Sequence, residues 1–372
     1  MKIGIDVRCL MAANYSGVAW YTFNLLTALF AIDENNEYVL FYNNAKPVNL
    51  PDFKSANVSY AGFKYPNKIL NLFFHIGNKP KIDKMIGGVD VFFMPNINSA
   101  AFSNYCRRVI IVHDLSYWRY PEFFTLKSII WHKIIMAKKI IQESDVIIAD
   151  SVNTKNDLVH LLKIKDDKIK VIYGGVDPKF QPVDNKIELE RVKRRYKLPN
   201  RFLLFLGTLE PRKNIESIIE AFNQLKTDHY LVIGGGDGWK SKAIKQLAAE
   251  NDKIKIVGYV KEEDKKGLYN LADVFVYPSY YEGFGLPLIE AMACGTPVIA
   301  GSNSSQAEVV ANAGLLVDPY NISEIKKAIE FILEDKILRA NLIKSGLAKA
   351  KEYSWHQTAK ETLAIFNSLK II

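Results

Sequence analysis

In the stretch YEGFGLPLIEAMACG, from Tyr281 to Gly295, two carboxylates, Glu282 and Glu290, stand eight positions apart around a Gly-Phe-Gly turn. An ionised carboxylate only accepts hydrogen bonds, so such a pair suits the hydroxyls of a sugar or a ribose. Two other readings are open at this point. The pair could act as acid and base across a glycosidic bond, which needs carboxyls about 5 to 10 Å apart and one raised pKa, or both could be solvated charges on a helix. Nothing around them argues for raising either pKa. Pro287 and Gly295 frame a short helix, which sets the amides of Phe284, Gly285 and Leu286 at its N-terminus between the carboxylates.

Arg212 and Lys213 lie in GTLEPRKN, directly before an apolar helical pattern. Two cations beside the unpaired amides of a helix start make a site for a phosphate or diphosphate, and would also favour ionised carboxylates nearby. A solvated charged turn is the alternative. Gly17, in YSGVAWYTFNLL, is a second place where backbone amides could approach a phosphate. His113, in IIVHDLSYW, follows an apolar run, where it is either structural or part of a site. The glycines of VIGGGDGW lack dinucleotide-motif spacing and read as an ordinary turn.

The elements that must hold these residues repeat one pattern. KIGIDV, YVLFY, VDVFFMP, RVIIVHD, SDVIIAD and KIKVIYGG in the first half, and RFLLFLG, HYLVIGGG, KIKIVGYV, ADVFVYPS, TPVIAG and AGLLVDP in the second, are apolar runs separated by helical patterns. Continuous apolar runs are parallel strands covered on both faces. Their number predicts two α/β doubly wound sheets, in keeping with 372 residues at roughly 150 per domain. The break falls in the proline-containing, charged stretch after Gly175, giving domains 1–178 and 179–352. A final helix, 353–372, could pack back on the first domain. Ligands of open parallel sheets bind beyond the carboxyl ends of the strands, where all the residues above lie.

Taken together, HDLSY, YGGVD, GTLEPRKN, the E-x7-E from Glu282 to Glu290, EAMACGTPVI, AGLLVDP and YSW, in this order along the chain, resemble retaining glycosyltransferase family 4. That family has the GT-B architecture of two Rossmann-like domains facing across a cleft. The pattern is similar to that of bacterial mannosyl- and rhamnosyltransferases of surface polysaccharide assembly. The resemblance implies that Arg212 and Lys213 hold the donor diphosphate and that Gly17 faces it from the first domain. It implies that Glu290 binds the donor ribose, and that Glu282 and the Phe284–Leu286 amides contact the transferred sugar. His113 would approach the reacting centre, and Gly258, Tyr259 and Val260 would lie near the base. The implied reaction moves a hexose, mannose from GDP-mannose first, to a glycan or lipid-linked acceptor without cofactor or metal. UDP- or dTDP-sugar donors, a sugar phosphorylase and a non-catalytic nucleotide-sugar binding protein are the alternatives. In two places the chain departs from the pattern. Gln306-Ala307 replace the usual Leu-Pro, predicting a looser turn before Glu308, and the first turn has one glycine where relatives often have two.

Composition narrows the classes. With 49% hydrophobic and 24% charged residues, the chain is globular and not largely disordered. Three widely spaced cysteines read as small buried hydrophobes of a reducing compartment. The opening MKIGIDVRCL does not read as a signal peptide, and no apolar run is long enough to span a membrane. The expected location is therefore cytoplasmic, with peripheral contact at the inner membrane face as a further expectation. A net charge of +9 is unaccompanied by any nucleic-acid-binding motif, so its expected counterparts are phosphorylated substrates or an anionic membrane. Two stretches, TLKSIIWHKIIMAKKIIQE and KYPNKILNLFFHIGNKPK, mix lysines with large apolar residues. Each reads either as a membrane-surface helix or as a helix packed on its own sheet with its lysines in water.

Overall fold

The computed structural model describes residues 1–12, 14–127, 129–130 and 135–370. Among them, thirteen parallel strands form two sheets. The first holds β1 (Lys2–Asp6), β2 (Glu37–Asn43), β3 (Val58–Phe63), β4 (Val91–Met94), β5 (Arg107–Val112), β6 (Val146–Ala149) and β7 (Ile169–Val171), in the order 3-2-1-4-5-6-7. The second holds β8 (Phe202–Leu206), β9 (Tyr230–Gly234), β10 (Ile254–Gly258), β11 (Val274–Tyr277), β12 (Val298–Gly301) and β13 (Leu315–Val317), in the order 10-9-8-11-12-13. Both are doubly wound Rossmann-like sheets, and in both the order reverses beside the first strand, between β1 and β4 and between β8 and β11.

The apolar runs account for every strand except β3. None of its residues is buried and it pairs only with β2, at the sheet edge. An edge strand needs no apolar run because one side of it faces solvent, so periodicity does not announce it.

The chain divides into two units. The first takes in Met1–Arg119, Thr125–Gly175 and Trp355–Ile372; the second takes in Val176–Ser354 and the short segment Tyr120–Phe124. That segment lies within the 1–178 expected for the first domain, but its aromatic rings draw it into the second unit. Phe123 stacks on Tyr280 at 5.3 Å, Phe124 on Trp239 at 5.5 Å, and Tyr120 packs on Tyr281 at 5.6 Å. The Trp239 indole N–H also donates to the Phe123 carbonyl.

Each unit has its own core. Phe205, Phe275, Tyr277 and Leu288 lie in that of the second, and Phe41, Phe92, Ile110 and Ile147 in that of the first. The helix Trp355–Ser368 belongs to the first unit, where Phe366 meets Phe93 at 5.2 Å and Trp355 meets Tyr21 at 5.0 Å. Of the basic stretch 125–143, Ser128 and residues 131–134, including Trp131 and Lys133, lie outside the described residues. The helix Ala137–Glu143 buries Ala137, Ile140 and Ile141 and leaves Lys138 and Lys139 in water, so that part packs on its own sheet. Among the described residues, no helix is long and apolar enough to cross a membrane.

Candidate active site

The loops after β8 and β11 leave neighbouring strands at the point where the second sheet reverses its order. After β8 the chain makes the tight turn Pro211–Lys213, passes through Asn214 in the left-handed region (φ 57°) and enters the helix Ile215–Asn223. After β11 it passes Glu282 and Gly285 (φ 111°) and enters the helix Leu286–Ala293.

These two loops bring Arg212, Lys213 and Glu282 into direct contact. Lys213 Nζ donates to Glu282 Oε1 and to the Tyr277 hydroxyl, both at 2.6 Å, and lies 5.1 Å from the Tyr277 ring centre. Arg212 Nη1 donates to Glu282 Oε2 at 3.1 Å and to the Tyr281 carbonyl at 2.5 Å. Its Nε and Nη2 donate to Glu210 Oε1 at 3.1 and 2.8 Å. The two cations expected at a helix start are therefore paired with two carboxylates.

The electrostatics of the group oppose one another. Burial alone would raise the Glu282 carboxyl, but Arg212 and Lys213 outweigh it and hold the pKa at about 2. Burial, then Arg212, lowers the Lys213 ammonium, while Glu282 and Glu210 pull it back. The quartet of two cations and two carboxylates is formally neutral. Hydrogen bonds within the quartet hold its side chains in place, which is how a site meets developing charge without reorganising.

Glu290 sits in a different environment. It accepts a hydrogen bond from the buried Tyr269 hydroxyl at 2.8 Å, and its other oxygen has no hydrogen-bond partner among the described residues. Burial raises its pKa despite Lys265. The sequence reading, in which neither carboxylate was raised, is corrected here: Glu290 lacks the two cations that hold Glu282 down. Nearby, Lys265 is kept charged against burial by Glu290 and Glu262.

The turn around Phe284, Gly285 and Leu286 is held from outside. Ser305, fully buried, places its hydroxyl within 2.9 Å of the Glu282 carbonyl and 2.8 Å of the Phe284 carbonyl. No side chain caps the helix Leu286–Ala293, so its first amides depend on other partners. The looser turn expected from Gln306 is not found. The buried Gln306 amide donates to the Ser279 carbonyl at 2.8 Å and accepts from the Gly301 amide at 3.0 Å, replacing apolar packing with two hydrogen bonds.

Gly258, at the end of β10, has φ 73° and open space where a Cβ would point. Tyr259 is half-exposed and Val260 is buried in the second core. The glycines after β9 serve the fold. Gly235 has φ 148°, and a Cβ there would lie 1.7 Å from the Gly207 carbonyl oxygen.

Gly17 and His113 belong to the first unit. Gly17 opens the helix Gly17–Ile32, its φ outside the left-handed region, and a Cβ added there would meet nothing within 4 Å. The fold does not require glycine at this position. His113 Nε2 lies 2.9 Å from the Pro95 carbonyl and Nδ1 lies 3.1 Å from Asp150 Oδ2. Burial pushes the Asp150 carboxyl up to about 6, although His113 opposes it. With both ring nitrogens engaged, a bond from His113 to a ligand requires one of these contacts to give way.

Sequence reasoning missed Asn214, Tyr277 and Ser305. The Asn214 side chain, 1% exposed, donates to the carbonyls of Pro278 and Pro319 at 3.0 and 2.7 Å, tying three loops together. Its signal was present: asparagine is among the few residues that enter the left-handed region readily.

Residues 15–180 match the model of Glycosyltransferase Family 4, and residues 186–349 match that of Glycosyl transferases group 1. O-antigen chain mannosyltransferase B of Escherichia coli is 32% identical over 277 residues, 71% of each chain. Sucrose-phosphate synthase from Thermosynechococcus elongatus superposes with a TM-score of 0.77 at 24% identity, over 99% of this chain and 98% of that one. Anabaena HepE, in complex with UDP-glucose, gives 0.73 at 19% identity over 98% and 100%. Two doubly wound sheets, a family match across each half and a relative 32% identical over 71% of the chain lead to one assignment: this chain belongs to glycosyltransferase family 4 and is a glycosyltransferase of GT-B fold.

Proposed function

We propose that the chain transfers mannose from GDP-mannose to a hydroxyl of a glycan or lipid-linked glycan, with retention of anomeric configuration and without a metal ion. The contact of Arg212 and Lys213 with Glu282 at the reversal point of the second sheet carries this reading. Arg212 and Lys213 donate hydrogen bonds to the diphosphate as it leaves and so stabilise its developing charge. The leaving phosphate takes the acceptor proton on the face from which it departs. Glu282, ionised and immobile, and the Phe284–Leu286 amides hold the transferred sugar. The unpartnered oxygen of Glu290 accepts from a ribose hydroxyl, and Gly258 to Val260 border the base. Gly17 admits the diphosphate and His113 serves a sugar hydroxyl. Mannose and a polysaccharide acceptor are supported by the mannosyltransferase relative, UDP-sugar donors by HepE. An acceptor carried on lipid would be met at an anionic membrane face.

The test is thermal unfolding with GDP, UDP, dTDP or ADP, each in EDTA, followed by turnover with the sugar of the nucleotide that stabilises most. A ligand at 100 times its Kd adds about 2.7 kcal/mol. A GDP preference with EDTA-resistant transfer is the expected result. A UDP preference moves the donor to a UDP-sugar, binding without transfer supports a non-catalytic protein, and absence of any shift defeats the nucleotide-sugar reading.

A further inference from the structure

The helix Asn67–Ile76 divides its apolar side chains between two faces. Leu70 and Phe74, one turn apart, are buried in the core of the first unit. Ile69, Leu72 and Phe73, related by three and four positions and hence neighbours on the helix surface, are 52%, 55% and 56% exposed. Tyr65, just before the helix, is also exposed and stacks on Phe63. A helix lying on a water-soluble core keeps polar residues on its outer face. This one is apolar on both sides.

The charge around it has one sign. From Lys54 to Ile82 the chain carries five lysines (Lys54, Lys64, Lys68, Lys79 and Lys81) and no acidic residue. Lys64, Lys68 and Lys79 are exposed and have no ion-pair partner among the described residues. Lys68 precedes Leu72 by four positions, so its ammonium flanks the apolar face.

We propose that this face docks on an anionic lipid surface. Ile69, Leu72 and Phe73 enter the boundary between headgroups and acyl chains, and Lys64, Lys68 and Lys79 meet the lipid phosphates. The proposal locates the membrane contact of a lipid-linked acceptor, but it stands on exposure and charge and not on the identity of the donor. A second copy of the chain fits the face less well. Like-charged lysines would oppose one another across a two-fold axis, and a few side chains fall short of the roughly 20–30 residues a side of a stable interface.

The experiment is co-sedimentation of the full chain with vesicles of phosphatidylcholine, with or without phosphatidylglycerol, at low and high salt. Binding to the anionic vesicles alone, released by salt, is expected. L72E/F73E removes two inserting side chains and lowers the partition constant by about a hundredfold, at roughly tenfold or more for each large apolar side chain. K64E/K68E/K79E, all at exposed positions, abolishes binding through charge alone and carries the test if the first variant does not fold. Both variants retain the thermal shift with nucleotide. Wild-type protein that stays in the supernatant at low salt overturns the proposal. So do variants that sediment like wild type, or a dimer in light scattering that L72E/F73E dissolves without any vesicle binding. Loss of the nucleotide shift in the wild type would count against the transferase mechanism and leave the vesicle result standing.

Discussion

Lys213 is buried among groups that pull its charge in opposite directions, so its partner can be assayed by pH. The Glu282 carboxyl is held at about 2, below its ordinary value of 4.5. A lowered carboxylate contributes stability that is fully present above the ordinary value and is lost as pH falls through the folded one. Glu282→Gln leaves Lys213 buried beside Arg212 without its counter-charge, a loss of about 3–5 kcal/mol for a broken buried pair. In urea unfolding, the gap between wild type and variant should be constant from pH 7 to about 5 and narrow between about 4.5 and 2. A gap that does not change across that range would refute the ion-pair account. Arg212 tests catalysis instead. Arg212→Ala should lower kcat by about 10²- to 10³-fold, the usual loss for one donor aimed at developing charge, while the protein stays folded. Turnover near wild type would remove Arg212 from the mechanism. These residue types and their order were legible in the sequence. Their mutual pairing was not, because GTLEPRKN and YEGFG are about seventy positions apart and meet only through adjacent β8 and β11.

Two glycines at element boundaries separate a role in the fold from a role in binding. A Cβ at Gly235 would lie 1.7 Å from the Gly207 carbonyl oxygen, so Gly235→Ala forces β8 and β9 apart where they end. At Gly17, with open space and an ordinary φ, Gly17→Ala should leave the helix Gly17–Ile32 intact and raise stability by about 0.4–1 kcal/mol. It should nevertheless weaken donor affinity if the diphosphate approaches that backbone. Chemical denaturation and nucleotide titration of both variants give the comparison; a Gly17→Ala protein with wild-type affinity would leave that glycine without a function. The sequence misled at this scale for definite reasons. Continuous apolar runs marked the buried strands, but β3, open to solvent at the edge, leaves no such trace. Gln306 signalled a loose turn by its departure from the family pattern, yet it uses both ends of its amide within the protein. A polar residue can replace apolar packing wherever two backbone groups wait for it.

The chain does not complete one unit before starting the other. It leaves the first after Gly175, builds the second through Ser354, and returns with the helix Trp355–Ser368. That helix is apolar at helical spacing, but spacing cannot say which sheet it covers; the contacts of Phe366 with Phe93, Trp355 with Tyr21 and Thr358 with the Tyr173 carbonyl do. Each unit has its own buried core, so denaturation should proceed in two transitions, each reporting one core. The proposed donor contacts lie mainly in the second unit, so the stabilising nucleotide should shift that transition more. Phe366 is fully buried, and Phe366→Ala should cost about 3–5 kcal/mol, as for other phenylalanine truncations in a core. The loss should fall on the transition of the first unit, although Phe366 follows the whole of the second unit in sequence. Calorimetry of wild type and variant, each with and without nucleotide, decides it. If Phe366→Ala lowers only the nucleotide-shifted transition, the helix stabilises the second unit and the division into these two units is wrong. If it lowers the other and leaves the nucleotide shift in place, the returning helix closes the first unit while the donor machinery folds without it.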